Sequence, residues 1–87
     1  MGQVMNKNMD AVSLALSVLK EIPAGSDFEP GCRFYVRNNT ESTVEVEILP
    51  AGNADDETIS VNVGGCTELP VLVKKVINAP SGLQWGY

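Results

Sequence analysis

The chain has 87 residues, of which 44% are hydrophobic, 20% charged and 6% aromatic. A chain of this length buries roughly 63% of its unfolded surface, which supports one modest core and therefore a single domain. Six basic against eleven acidic residues give a net charge of −5, which repels a phosphate backbone and argues against nucleic-acid binding.

The chain contains no histidine and two cysteines, which removes most familiar catalytic and metal sites. Ser-His catalysis, Cys-His catalysis and His-based zinc sites all need an imidazole, and two thiols alone do not make a zinc site. We therefore expect no enzymatic activity, no cofactor and no metal. The polar start and the absence of eighteen consecutive apolar residues predict no secretory signal and no membrane span, so we expect synthesis in a reducing compartment.

Residues 1–10 are polar and are predicted to form a flexible arm, followed by a single β domain over residues 11–87. The start of that domain, residues 11–22, fits two templates. One apolar set alternates as in a strand: Val12, Leu14, Leu16 and Val18. Another set has helical spacing: Val12, Ala15, Leu16, Leu19 and Ile22. We favour a strand and keep a helix as the alternative.

Two alternating runs come next and predict a hairpin. Residues 32–37 place one set of side chains on each face of a strand: Cys32, Phe34 and Val36 against Arg33, Tyr35 and Arg37. Residues 38–42 are of the types that favour turns, and alternation resumes over residues 44–48. The Arg side chains would then pair with Glu45 and Glu47 directly across the hairpin.

The rest of the chain predicts three more strands. An acidic loop over residues 50–57 precedes an alternating run over residues 59–63, which Gly64-Gly65 ends. Over residues 69–77 the alternation changes phase, and a bulge near Lys74 and Lys75 would restore it. After a turn at residues 80–82, three apolar side chains share one face of a short last strand: Leu83, Trp85 and Tyr87. The predicted fold is an all-β, small antiparallel β-sandwich or barrel of five to six short strands.

The C-terminal half also resembles small β-structured virion proteins of tailed phages, of the capsid auxiliary (decoration) or spike-base type. The resemblance covers residues 23–87 and is carried by Gly64-Gly65, then Leu69-Pro70, then Val71-Leu72-Val73-Lys74-Lys75-Val76, a small-residue turn and a closing strand. The closing turn, residues 78–82, departs from the Gly-Thr-Thr-like stretch of spike-base proteins, which favours a capsid-surface role. The resemblance implies a place in the virion and other virion proteins, the major capsid protein or a fibre, as partners.

Two trios of side chains are candidate contact residues: Leu83, Trp85 and Tyr87 on the last strand, and Arg33, Tyr35 and Arg37 on the first alternating run. Rigid amphipathic rings suit either a subunit contact or a sugar-stacking platform, and core packing is the alternative for the aromatic trio. Arg and Tyr are both enriched at protein interfaces.

Other candidate groups have plainer interpretations. We read Glu45 and Glu47 as a solvated strand face and not as a catalytic acid pair, and residues 53–57 as a solvated loop and not as a calcium site. Cys32 and Cys66 are expected to be buried free thiols, with a disulfide as the alternative. The spelling Asn38-Asn39-Thr40 matches a glycosylation acceptor, which without secretion we interpret as a turn.

The sequence therefore predicts a non-enzymatic structural protein of a phage virion, a capsid auxiliary protein bound in many copies or as a homo-oligomer. A domain this small gains little from its core and exposes strand edges, so association would add the stability that the monomer lacks. Two alternatives stay open: a spike-base or head-fibre attachment protein, and a small carbohydrate-binding or adhesin-like sandwich that uses Trp85 and Tyr87.

Overall fold

A computed structural model describes residues 16–87 of the chain, which form six β-strands. In chain order the strands are β1 (Leu19–Glu21), β2 (Phe34–Asn38), β3 (Val44–Pro50), β4 (Ile59–Val63), β5 (Glu68–Ile77) and β6 (Leu83–Gly86). Every pairing between them is antiparallel. The predicted all-β, antiparallel fold of short strands is confirmed. Within residues 16–22 the chain forms a strand and no helix; residues 11–15 and the predicted arm over residues 1–10 lie outside the described residues.

The six strands form a single sheet in the order β1-β6-β2-β5-β3-β4. The longest strand, β5, lies in the middle between β2 and β3, and β6 lies between β1 and β2. Among these strands, only β3 and β4 are both consecutive in the chain and paired with each other. Most of the sheet is therefore built from contacts between distant parts of the chain.

The predicted hairpin between the second and third alternating runs is wrong, because β5 lies between β2 and β3. The connection over residues 39–43 crosses over an intervening strand instead of turning back beside it. The pairing expected between the Arg side chains of β2 and Glu45 and Glu47 of β3 is wrong for the same reason. Arg37 instead pairs with Glu68 of β5, with Nε 3.0 Å from Oε2.

The predicted bulge in β5 is confirmed. Leu49 lies opposite Lys75 while the next residue of β3, Pro50, lies opposite Val73, so Lys74 is the extra residue. The side chains of Val73 and Val76 are consequently both buried although three positions separate them. A bulge bends its strand and increases the local twist, and here it lies at the centre of the sheet.

The core is one contiguous cluster of buried apolar side chains, drawn from all parts of the sheet. Its fully buried members include Phe34, Val36, Ile48, Val73, Val76 and Leu83. Residues 16–87 contain no helix that could cover a flat sheet. Because these side chains are nevertheless shielded from water, we infer that the sheet curls around its own inner face.

Asn38 is the buried polar residue of this core, with none of its surface exposed. Its Nδ2 donates to the carbonyl oxygens of Ser42, at 2.6 Å, and Val63, at 3.0 Å. Its Oδ1 accepts from the main-chain N–H and the hydroxyl of Thr40, at 2.9 and 2.7 Å. Both donors and both acceptor positions of the amide are thus used. The burial of Nδ2 also leaves no room for a glycan at this position.

The first and last strands join through close main-chain contacts. The main-chain N–H groups of Ser17 and Val18 both donate to the carbonyl oxygen of Tyr87, at 2.8 and 2.9 Å, and the Tyr87 N–H donates to the Val18 carbonyl at 3.1 Å. A Cβ atom at Gly86 would overlap that Val18 carbonyl oxygen. Only glycine fits at this point of the sheet without a shift of β1.

Candidate interaction surfaces

The two predicted contact trios lie on neighbouring strands but on opposite faces of the sheet. In the pairing of β2 with β6, Val36 lies opposite Trp85 and Arg37 lies opposite Gln84. Because successive side chains of a strand alternate between faces, Trp85 shares the inner face with the buried Val36. Tyr35 and Arg37 lie on the outer face. The six candidate residues therefore do not form one continuous surface.

Leu83 is not available for contacts with another molecule, because it is fully buried in the core. Its expected role as an interface residue is wrong, and core packing, the alternative for the aromatic trio, holds at this position. Trp85 is partly buried and packs against the core. Tyr87 is 52% exposed, so it is the member of the trio that remains open to solvent.

Four aromatic rings pack together at one end of the inner face. Phe28 lies 5.5 Å from Phe34 and 5.3 Å from Trp85, measured between ring centroids, and Trp85 lies 6.0 Å from Tyr87. The ammonium group of Lys20 is 6.0 Å from the centre of the Trp85 ring. The protein's own side chains thus surround the Trp85 indole, which limits the ring area that a sugar could stack on.

A row of hydrogen-bonded polar side chains crosses the outer face. Gln84 donates to Glu21 at 3.0 Å, and Arg37 donates to Gln84 at 3.4 Å and to Glu68 at 3.0 Å. These four residues lie on β1, β6, β2 and β5, so the row spans four adjacent strands. The side chain of Arg37 is therefore committed to intramolecular contacts.

Arg33 lies just before β2 and is exposed. It lines a cleft of about 350 Å³ together with Glu29, Gly31, Cys32 and Lys74. The cleft brings together two cationic groups, a carboxylate and a thiol. Lys74 is already paired with Asp55, at 3.3 Å, so the charges in the cleft are largely compensated.

Two of the carboxylates considered as candidate sites, Glu47 and Glu57, accept hydrogen bonds from nearby groups of the chain. Glu45 and Glu47 are both exposed on β3, and the hydroxyl of Thr58 donates to Glu47 at 2.6 Å. In the acidic loop, Glu57 accepts from the N–H of Ala54 at 3.0 Å. Residues 16–87 contain no group of three or more acidic or cysteine side chains placed to hold a metal ion.

Both cysteines are exposed free thiols. The expectation that they are buried is therefore wrong, and the alternative disulfide is not formed. Cys66 has a positive φ of 56°, and its N–H donates to the Thr40 carbonyl at 2.8 Å. Its position in a tight turn after β4, and not on a strand, explains why its side chain points to solvent.

The sheet of the described residues ends in two unpaired edges, β1 and β4. Each edge carries an exposed large apolar side chain: Leu19 is 47% exposed on β1, and Ile59 is 43% exposed on β4. An edge strand presents main-chain donors and acceptors that can pair with another chain. The sequence predicted that the domain exposes strand edges, but it did not identify which strands form them.

Sequence reasoning missed three residues that organise these surfaces: Phe28, Asn38 and Gln84. Asn38 continues the inner-face series that begins with Phe34 and Val36, and extending that alternation by one step would have placed it inside. No comparable signal existed for Phe28, which lies outside the strands and reaches the core through an isolated bridge to Val76.

No helix among residues 16–87 is long and apolar enough to cross a membrane. No family model, no curated protein and no solved structure matches the chain.

Proposed function

We propose that the chain is a non-enzymatic structural protein of a phage virion, a capsid auxiliary protein that binds the head surface in many copies. Its localisation is then the virion, and its partners are other virion proteins and further copies of itself. The observation that carries the proposal is the open sheet: among residues 16–87 no strand pairs with the outer side of β1 or of β4, and each bears an exposed apolar side chain.

The exposed side chains suit attachment to another protein better than catalysis. The outer face carries a row of hydrogen-bonded polar side chains. Of the exposed large apolar side chains, Leu19 and Ile59 lie on the edge strands, Leu72 on the central strand and Tyr87 just after β6. Strand addition at an edge and contacts of exposed side chains are the ways in which a small β domain attaches to a larger assembly. A net charge of −5 favours a protein partner over DNA or RNA.

The resemblance to capsid auxiliary and spike-base proteins is the reason for proposing a virion as the assembly to which the chain binds. The block over residues 69–76 that carries the resemblance forms most of β5, the central strand, including its bulge. This block therefore belongs to the scaffold of the domain. The surface that would meet the capsid is formed by other residues.

Quantitative mass spectrometry of purified virions from the phage that encodes the chain tests the proposal. We expect many copies per particle, on the order of tens or more, as for a component that repeats with the capsid lattice. Absence of the chain from the particles would overturn the proposal. A few copies per particle would instead support the spike-base or head-fibre alternative, because a vertex or tail position repeats far less often than the lattice.

The carbohydrate-binding alternative would use Trp85 and Tyr87. Phe28, Phe34 and Lys20 already surround Trp85, which leaves Tyr87 as the accessible ring. We therefore expect the tryptophan fluorescence to stay unchanged across a broad glycan panel. A saturable shift in emission with one glycan, lost in Tyr87→Ala, would favour this alternative over the structural role.

A further inference from the structure

We propose that the β4 edge is a self-association site, at which two copies of the chain pair antiparallel about a two-fold axis through Val61. The result would be one continuous sheet of twelve strands. This inference rests on the proposed role in assembly and names the surface and the partner, a second copy.

The register of such a pair follows from the symmetry. With Val61 opposite its own copy, Ile59 lies opposite the partner's Val63 and Ser60 lies opposite the partner's Asn62. All five residues of β4 then take part. Directly opposed residues in an antiparallel pair share a face, so the apolar row of one copy continues into that of the other. The Val63 carbonyl already accepts from Asn38 at 3.0 Å, so the main-chain bonds to the partner would come from the other groups of the strand.

Charge distinguishes β4 from the other edge. The five residues of β4 are Ile59, Ser60, Val61, Asn62 and Val63, none of them charged. The three residues of β1 are Leu19, Lys20 and Glu21, and a symmetric pair of β1 strands would place Lys20 opposite Lys20. Like charges directly opposite one another destabilise a strand pair. Charge repulsion thus disfavours self-pairing of β1, whereas β4 has no charged residue to oppose it.

Within the part of the chain that the structure describes, β4 also lacks the usual protection of an edge strand. Natural sheets block their edges with lysine, proline, bulges or very short strands. β4 has five residues, pairs with β3 in unbroken register and contains neither lysine nor proline. In addition, Ile59, which is 43% exposed, is the residue that would lie opposite the partner's Val63. Pairing would remove this apolar surface from water and satisfy the free main-chain groups.

The test is a pair of lysine substitutions, Ser60→Lys with Asn62→Lys. Within one copy these positions lie opposite Glu47 and Glu45, so the new ammonium groups face carboxylates and the fold is maintained. Across the two-fold axis they face each other. We expect analytical ultracentrifugation to give twice the 9.3 kDa of the single chain for the wild type and a monomer for the double variant. The control, Ser26→Lys with Ser81→Lys, makes the same charge change in exposed loops and should stay dimeric.

A cross-linking experiment tests the register itself. In a Cys32→Ser/Cys66→Ser background, Val61→Cys would place two thiols on the axis. Directly opposite Cα atoms are about 4.5–5.5 Å apart, within the usual disulfide range. Oxidation should therefore give a covalent dimer. Asn62→Cys is the matched control, because in this register its copy is displaced diagonally by about 7–8 Å, too far for efficient bridging.

The outcomes separate this inference from the proposed function. A wild-type chain that is monomeric in solution, or a double lysine variant as dimeric as the wild type, would overturn the β4 dimer. Equal cross-linking of Asn62→Cys and Val61→Cys would overturn the register. A monomeric chain found in many copies on virions would leave the capsid role intact, whereas a β4 dimer absent from virions would contradict that role alone.

Discussion

The side-chain nitrogen of Asn38 lies 3.0 Å from the carbonyl oxygen of Val63, which links the end of β2 to the end of β4. Two strands, β5 and β3, lie between these elements in the sheet. One short side chain can span that separation only if the sheet folds over on itself. Asn38 thus fastens the curled sheet, and its buried amide is satisfied only in this arrangement.

Replacement of Asn38 by alanine should destabilise the domain strongly. The change leaves the buried carbonyl of Val63 and the main-chain N–H of Thr40 without the Asn38 amide as partner. We expect a loss of about 3 kcal/mol, or about 15 °C in Tm. Thermal and urea unfolding followed by circular dichroism would measure it. Ser81→Ala, at an exposed loop position outside the proposed β4 contact, is the control and should change stability by less than about 0.5 kcal/mol. Equal effects of the two changes would contradict the role assigned to Asn38.

Gly86→Ala should loosen or detach β1. The new methyl group would overlap the Val18 carbonyl, and relief requires β1 to move, at a cost of about 1–3 kcal/mol. Gly52→Ala provides the comparison, because a Cβ at that position has no atom within 4 Å, and it should be neutral or slightly stabilising. Hydrogen exchange of the Ser17 and Val18 amides would report the change. Unaltered protection in Gly86→Ala would contradict the close packing described for β1 and β6.

The ion pair between Arg37 and Glu68 should make a small contribution to stability. Their side chains are 24% and 21% exposed and lie 3.0 Å apart, and a partly solvated pair is worth about 0.5–1 kcal/mol. A double-mutant cycle with Arg37→Gln and Glu68→Gln, measured by urea unfolding, isolates this coupling. A coupling near zero in low salt would show that the pair is only incidental to the row of polar side chains.

Both thiols should react in the folded protein. Cys32 and Cys66 are exposed, so DTNB should titrate two thiols per reduced chain without denaturant, and Cys32→Ser should leave one. Thiols that react only after unfolding would contradict the exposed positions of both residues. Because reactive native thiols would also form disulfides, cross-linking experiments require both cysteines to be replaced.

The sequence predicted β2 to β6 well because local alternation marks each of them, whereas residues 11–22, which contain β1, fitted a helix as well as a strand. The bulge at Lys74 was predictable for the same reason: the change of phase between Val73 and Val76 is visible in the sequence itself. Strand ends were less accurate, since Cys32 falls outside β2 while Asn38 falls inside it.

The order of the strands could not be predicted in the same way. A connection of five polar residues, 39–43, suits a hairpin as well as a crossover, and nothing local shows that β5 will lie between β2 and β3. That choice depends on contacts between residues far apart in the chain, such as the bond from Asn38 to Val63. The separation of Trp85 from Tyr35 and Arg37 onto opposite faces follows from the same long-range pairing.

The position of β6 between β1 and β2 has a consequence for biosynthesis. The ribosome produces this strand after the other five, and until it emerges β1 has no partner among the described strands and one side of β2 stays open. A nascent chain cannot complete its sheet while residues 83–86 remain in the exit tunnel. The sheet can therefore close only after β6 has been synthesised, and a product that stops before residue 83 lacks the strand that joins β1 to β2.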